Sequence, residues 1–311
     1  MFNRLKLIIK ITFLAACIVL IIVLTFAYRH VEKHEMPNKH YTSINIDDEL
    51  SINLKIMALN FQGKPFVEKD TYRRSRALGA IINIHDPDII ILQEMCQASD
   101  RERLLKDLEF TRIKHQMYFS SSVFGSGLYI LSAYPFSGAT FHRYRAGTPW
   151  YSLHQLDWWM GNGVGMARLD LGNDAFLDLF TFQLDANQNT HGARYRARQW
   201  AETLPYISHT SHPEIPTLVI GNTSVAPTEL RWSDGIKNSN VLVDLLNSDS
   251  KGIVMFGYTF GDLFEYYHEH TETIDGSFEV NNDVIRITTQ GIYLSSIRIE
   301  SKSSNKQEAV I

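Results

Sequence analysis

The sequence predicts an α/β fold in which two β-sheets pack face to face with helices outside, preceded by one N-terminal transmembrane helix. Three observations carry that reading. Short, fully apolar runs bounded by turn residues recur along the chain. Early runs alternate with amphipathic stretches of helical period, and later ones are joined as hairpins. The first 30 residues hold a long uncharged apolar segment. With 311 residues, 44% of them hydrophobic, the chain can bury a large core, and one domain of about 250 residues is expected.

Residues 11–28 carry no charged side chain and extend forward through Leu7, Ile8 and Ile9. The run exceeds the roughly 7–15 apolar residues of a secretory signal core, and Thr25-Phe26-Ala27 is a poor cleavage signal, so an uncleaved anchor is expected. Arg4, Lys6 and Lys10 precede the run without acidic neighbours, which favours a cytoplasmic N-terminus (residues 1–10) and an exported domain; Arg29, Lys33 and Lys39 after it are the counterweight. Residues 29–51 are polar, mixed in charge and aperiodic, and read as a linker. The body is residues 52–300, and the Ser/Lys-rich residues 301–311 read as a flexible tail.

In the body, residues 54–59 form a first strand that delivers Asn60 at its end. Residues 70–85 follow at helical spacing, with Tyr72, Leu78, Ile81 and Ile82 inward, Arg73, Arg74 and Arg76 on the other faces, and Asp70 as N-cap. Asp86-Pro87-Asp88 then opens Ile89-Ile90-Ile91-Leu92, four large apolar residues that read as a central strand covered on both faces and ending in Gln93-Glu94. On one residue alone, a solvated Glu at a strand end is the plainer reading. Asn60 at the end of the neighbouring strand changes the odds, because an open α/β sheet exposes functional groups beyond its strands' carboxyl ends.

Residues 99–108 predict a second helix capped by Ser99, residues 113–119 a modest strand, and Gly125-Ser126-Gly127 leads into a buried strand at 128–131. Residues 141–160 read as an aromatic-rich loop with Trp150, Tyr151, Trp158 and Trp159, suited either to local packing or to a lipid interface. Residues 164–171 and 176–184 read as a hairpin turned by Gly172-Asn173-Asp174. A helix at 191–209 has Arg194, Arg196 and Arg198 on one side and Trp200, Leu204 and Ile207 inward. Residues 216–220 form a short buried strand, 240–247 look helical, and 283–288 and 293–300 look like closing strands.

The net charge of −4 and the lack of a basic stripe argue against a nucleic-acid partner. Twelve scattered His and two Cys, Cys17 and Cys96, form no zinc motif or disulfide framework.

Asn60, Leu92-Gln93-Glu94, Gly125-Ser126-Gly127-Leu128 with Leu131-Ser132-x-Tyr134-Pro135, and Arg196-x-x-Gln199, in that order and spacing, resemble the endonuclease/exonuclease/phosphatase superfamily. Asp157-Trp158 followed by Gly161-Asn162-Gly163-Val164-Gly165 resembles its neutral sphingomyelinase group. The resemblance implies a four-layer α/β sandwich and Mg²⁺-dependent hydrolysis of a phosphate ester, with Asn60 and Glu94 at the metal and Trp158 and Asn162 toward substrate.

Other positions depart from the family pattern. Gln183 and Asp185 stand where the family has two His, Asn222 where it has the water-orienting Asp, and Ser224 where it has an Asn. Asn162 replaces a Lys, no Arg precedes Asp275, and Leu294-Ser295-Ser296-Ile297 is the remnant of a closing Ser-Asp-His. One general acid/base is worth roughly 10²–10⁴ in rate, and groups acting as a unit are not additive. Gln and Asn preserve shape and hydrogen bonds but cannot shuttle protons.

Three readings follow. The leading one is a membrane-anchored pseudoenzyme that binds a phospholipid or sphingolipid headgroup, phosphate or a protein partner, with Mg²⁺ weak or absent. The second is an active phosphodiesterase with a rearranged set drawn from Glu94, Asp185, Asp275, His191, His268 and His270. The third, a nuclease, conflicts with the acidic balance and the anchor.

Overall fold

The computed structural model describes residues 2–29, 51–66, 68–152, 156–187, 190–212, 215–224, 241–242, 253–258, 264–274, 277–280, 283–286 and 292–301. In chain order these form α1 (Phe2–Arg29), β1 (Ser51–Asn60), α2 (Thr71–His85), β2 (Ile89–Gln93), α3 (Ala98–Asp107), β3 (His115–Tyr118), β4 (Tyr129–Ser132) and β5 (Phe136–Arg143). Then come α4 (Asp157–Met160), β6 (Gly163–Gly172), β7 (Ala175–Gln183), α5 (Thr190–Thr210) and β8 (Thr217–Asn222). The last strands are β9 (Val241–Leu242), β10 (Ile253–Tyr258), β11 (Phe264–Ile274), β12 (Ser277–Val280), β13 (Asp283–Arg286) and β14 (Ile292–Ser301).

Two six-stranded mixed sheets result, ordered β11-β14-β1-β2-β4-β3 and β5-β6-β7-β8-β10-β9, with β12-β13 as a separate pair. Strand periodicity explains how they pack. Leu54, Ile56, Ala58, Ile89 and Ile91 face Ala167, Leu169, Leu177, Leu179, Leu218 and Ile220 across the interior. The alternate residues Met57, Leu59, Ile90 and Leu92 meet Leu78, Ile81 and Ile82 of α2 and Leu104 of α3. On the far side Val164, Met166, Phe180, Phe182 and Val219 lie beneath Ile207 of α5. Both faces of each central strand are therefore dry, which is why those strands read as unbroken apolar runs.

The expected α/β architecture of two packed sheets with outer helices is present. Helix α1 is long and apolar enough over Arg4–Ala27 to cross a bilayer. The hairpin at 172–174 forms as expected, with φ of 87° at Gly172, 53° at Asn173 and 58° at Asp174.

Several local expectations are corrected. The expected loop at 141–160 is loop only in part: residues 141–143 end strand β5, which pairs along β6 and whose half-buried mixture of side chains carries no clean alternation, and residues 157–160 form α4. Residues 241–242, expected in a helix, are strand β9, because backbone pairing with β10 overrides a helical pattern only a few residues long. Residues 243–247 lie outside the described residues, as do the linker at 30–50 and the tail from 302; strand β1 already begins at Ser51. Asp70 holds the cap position of α2 in a left-handed conformation at φ 59°, so its side chain makes no cap bond. Gln97 rather than Ser99 caps α3.

Tyr72 is exposed, whereas Arg74, expected on a polar face, is buried. It donates to the carbonyls of Phe61 at 3.1 Å and Gln62 at 2.8 Å and so fixes the loop leaving β1. Arg196 is likewise buried on α5, donating to Asp185 O at 3.2 Å. In both cases chain carbonyls with no strand partner need a long cationic donor, a demand that helix periodicity cannot reveal.

Candidate active site

The site forms where two parallel strand pairs end. In the first sheet β1 and β2 run in register until Asn60 stands opposite Gln93, and in the second β7 and β8 end with Gln183 opposite Asn222. Packing the sheets face to face brings these carboxyl ends to one rim.

Beyond Gln93 the chain turns sharply at Glu94, whose φ is 55°. Left-handed backbone at a residue with a Cβ costs roughly 1–2 kcal/mol, and such strain concentrates at functional sites. Two contacts hold it. Gly63 N donates to Glu94 O at 2.9 Å, and Met95 N donates to Gly127 O at 2.9 Å. Gly127 is there because a Cβ would come within 2.9 Å of Glu94 Cα, and because its own φ is +75°. The sequence signal Gly125-Ser126-Gly127 thus has a concrete task in shaping the turn that aims Glu94.

The Glu94 carboxylate is 5% exposed and reaches across the sheets. Gln183 Nε2 donates to its Oε1 at 3.3 Å, and Lys64 Nζ lies 3.5 Å from the same oxygen. Lys64 also donates to Asp157 Oδ1 at 3.3 Å, so its ammonium sits between two buried carboxylates. Burial alone would lower the Lys64 ammonium, but Glu94 and Asp157 overcome it and leave the group raised and charged. Burial pushes the Asp157 carboxyl up to about 6, with Lys64 opposing the rise and Asp185 and Glu94 adding to it. Cys96, next to the turn, is a buried free thiol pushed up by burial, which makes it inert as a nucleophile.

Of the expected site residues, Glu94 and Gln183 meet across the two sheets, and the others make local contacts at the strand ends. Asn60 Oδ1 accepts from Gln62 N at 3.0 Å. Asp185 is fully buried and engaged on both oxygens, by Thr148 Oγ1 at 2.7 Å and by Asn187 N at 2.9 Å. Its own N–H donates to Gln199 Oε1 at 2.8 Å, which makes the Arg196-x-x-Gln199 pattern a clamp on this strand end. Asn222 Oδ1 accepts from Ser224 N at 2.8 Å, and Ser224 Oγ donates to Leu184 O at 3.2 Å.

Trp158 and Asn162 open the adjoining pocket of about 530 Å³, walled also by Arg143, Arg145, Trp150 and Asp157. Asn162 is 6% exposed, and among the described residues neither its Oδ1 nor its Nδ2 has a hydrogen-bond partner; Asp157 Oδ2 and Gln183 Oε1 are alike. Buried polar atoms without partners are costly, so their gathering at one rim marks a place built to meet a ligand or water. Of the aromatic loop, Trp150 and Tyr151 are exposed, and Trp158 and Trp159 pack edge-to-face at 5.2 Å.

Lys64 and Asp157 were not assigned to the site from sequence. Asp157 was visible only as half of Asp157-Trp158, and a lone Lys within Gly63-Lys64-Pro65 carries no signal of its own.

Among the described residues the donor set does not fit a hard divalent cation. Such an ion needs several oxygen ligands at about 2.0–2.6 Å. Here Glu94 Oε1 faces an amide donor and an ammonium, and Asn60 Oδ1 already accepts a backbone bond. Among the described residues no group of three or more His, Cys, Asp or Glu is placed to hold a metal. Of the alternative acid/base candidates, His191 is exposed at the start of α5, while the side chains of His268, His270 and Asp275 lie outside the described residues.

No family model matches the chain. Among solved structures, the chain resembles Staphylococcus aureus beta toxin, with a TM-score of 0.57 and 15% identity over 80% of this chain and 99% of that one. It also resembles an endonuclease/exonuclease/phosphatase from Beutenbergia cavernae, with a TM-score of 0.53 and 12% identity over 79% of this chain and 71% of that one. The chain has the endonuclease/exonuclease/phosphatase fold. Sequence relatives of the chain include proteins named as neutral sphingomyelinases or sphingomyelin phosphodiesterases. A putative neutral sphingomyelinase of Drosophila melanogaster is 30% identical over 204 residues, 65% of this chain and 46% of that protein. Sphingomyelin phosphodiesterase 2 of Homo sapiens is 31% identical over 183 residues, 58% of this chain and 43% of that protein. The chain therefore matches less than half the length of either relative. Beta toxin has been solved with bound magnesium ions, a property of that protein.

Proposed function

We propose that this domain is a sphingomyelinase-like phosphodiesterase fold that holds a phosphate-containing headgroup without cleaving it. One observation carries the reading. Among the described residues no histidine hydrogen-bonds Asn60, Glu94, Gln183, Asp185 or Asn222; their contacts are with amides, backbone groups, the Thr148 hydroxyl and the Lys64 ammonium. A neutral amide orients a ligand but cannot accept and return a proton. The pocket offers what a headgroup needs: the Arg145 guanidinium for a phosphate, the Trp158 ring and Asp157 carboxyl for a cationic amine, and Asn162 for a neutral oxygen, while Arg143 already donates to Ala27 O and Trp158 O.

A second reading, an active enzyme with a rearranged acid/base set, is favoured by Asp157, since a carboxyl held at about 6 is poised for proton transfer near neutral pH.

The experiment offers the full chain, in detergent micelles, sphingomyelin or a chromogenic phosphodiester with Mg²⁺. No turnover above that of Glu94→Ala is expected, a deficit on the order of 10⁴ against a competent set. Phosphocholine is expected to give calorimetric heat that Asn162→Leu weakens about tenfold. Turnover abolished by Glu94→Ala overturns the reading, and turnover abolished by Asp157→Asn selects the second.

The same proposal anchors the domain through α1 with the N-terminus cytoplasmic. A C-terminal reporter that functions only after export is expected to be active; activity confined to a cytoplasm-restricted reporter rejects that orientation.

A further inference from the structure

We propose that the ammonium of Lys64 is the resident cation of this site and excludes a divalent metal from it. The inference is independent of which headgroup the neighbouring pocket takes. Lys64 Nζ lies 3.5 Å from Glu94 Oε1 and 3.3 Å from Asp157 Oδ1, the two carboxylates with which it forms an ion pair among the described residues. Their side chains are 6% and 4% exposed and that of Lys64 is 13% exposed, so the three charges interact with little solvent screening.

The loop is wired to put Lys64 there. Phe61 N donates to Gln93 O at 2.9 Å and Gly63 N to Glu94 O at 2.9 Å, so the next residue emerges beside the Glu94 carboxylate. Gly63 is required for that approach, since a Cβ would fall 2.8 Å from Glu94 O. Arg74 clamps the same loop from α2 through the carbonyls of Phe61 and Gln62. A metal ion bridging Glu94 and Asp157 would compete for the ground that Nζ holds and would face a fixed positive charge at contact distance. Gln183 Nε2 adds a second donor where a metal would need an acceptor.

Removing only the charge should therefore turn the cage into a cation site. In Lys64→Met the aliphatic stem is kept, and Glu94 and Asp157 are left as two buried carboxylates without a counter-ion, a state that binding of Mg²⁺ relieves. The test is calorimetric titration and thermal melting of the full chain in detergent micelles, with EDTA and with Mg²⁺ up to about 10 mM. Wild type is expected to show no Mg²⁺ heat and no change in Tm. Lys64→Met is expected to melt lower in EDTA and to recover by several degrees in Mg²⁺, with affinity at least about tenfold above wild type. Lys64→Met/Glu94→Gln is expected to lose that recovery.

Mg²⁺ heat in wild type that Glu94→Gln abolishes overturns the proposal, as does a Lys64→Met protein that binds no better than wild type or a double variant that binds undiminished. If Lys64→Met does not fold, Lys64→Gln takes its place, and the comparison of wild type with Glu94→Gln still decides.

Discussion

Replacing Arg168 by alanine is expected to destabilise the domain by about 3–5 kcal/mol, read as a fall in Tm of roughly 10 °C. Arg168 on β6 stands directly opposite Asp178 on β7. Its Nε and Nη2 donate to the two carboxylate oxygens at 2.6 and 2.8 Å, and both residues are almost wholly buried. Asp178 Oδ2 also accepts from His212 N at 3.1 Å, so the pair ties the segment after α5 to the sheet. Burial leaves the Asp178 carboxyl raised even with the guanidinium against it, and without Arg168 that burial penalty is uncompensated. The paired substitution Arg168→Met/Asp178→Leu removes both charges at similar volume and is expected to recover most of the loss. A single variant that costs less than about 1 kcal/mol, the range of an exposed pair, refutes this account.

Asp157 gives the second large effect, as a dependence on pH. Its carboxyl is held at about 6 in the fold against an ordinary 3.8, chiefly by burial, with Lys64 opposing and Asp185 and Glu94 reinforcing. The folded protein therefore binds this proton more tightly than the unfolded chain. The stability it contributes is whole below about pH 4 and is lost as pH rises through about 6. The two values differ by roughly 2 units, which at 1.36 kcal/mol per unit corresponds to about 3 kcal/mol. Asp157→Asn has no proton to lose, so between pH 4 and 7 it should gain on wild type by roughly 5–10 °C in Tm. Comparing wild type with the variant cancels the contributions of every other ionisable group. A difference in Tm that stays flat from pH 4 to 7 rules out the raised carboxyl.

Much of the fold was legible because its central strands are covered on both sides. Ile89-Ile90-Ile91-Leu92 announces β2 without any partner in view, and the same holds for β1, β4, β7 and β8. Half-covered β5 was not legible, since its side chains are neither alternating nor uniformly apolar, and its identity comes from pairing with β6. Arg74 and Arg196 show the limit of helical periodicity, because what buries them is the need of distant carbonyls for donors.

At the site, apolar runs marked Asn60 and Glu94 as residues delivered by strand ends, whereas Gln183, Asp185, Asn222 and Ser224 were marked by the resemblance to the endonuclease/exonuclease/phosphatase superfamily. Their chemistry as amide, carboxylate and hydroxyl was likewise fixed by residue type. Only the packed sheets decided that Lys64 would stand between Glu94 and Asp157, residues separated from it by 30 and 93 positions. Spacing along the chain determines what a strand presents at its end. Which charge meets which across a rim depends on how two sheets and their loops close in space, and no local pattern encodes that distance.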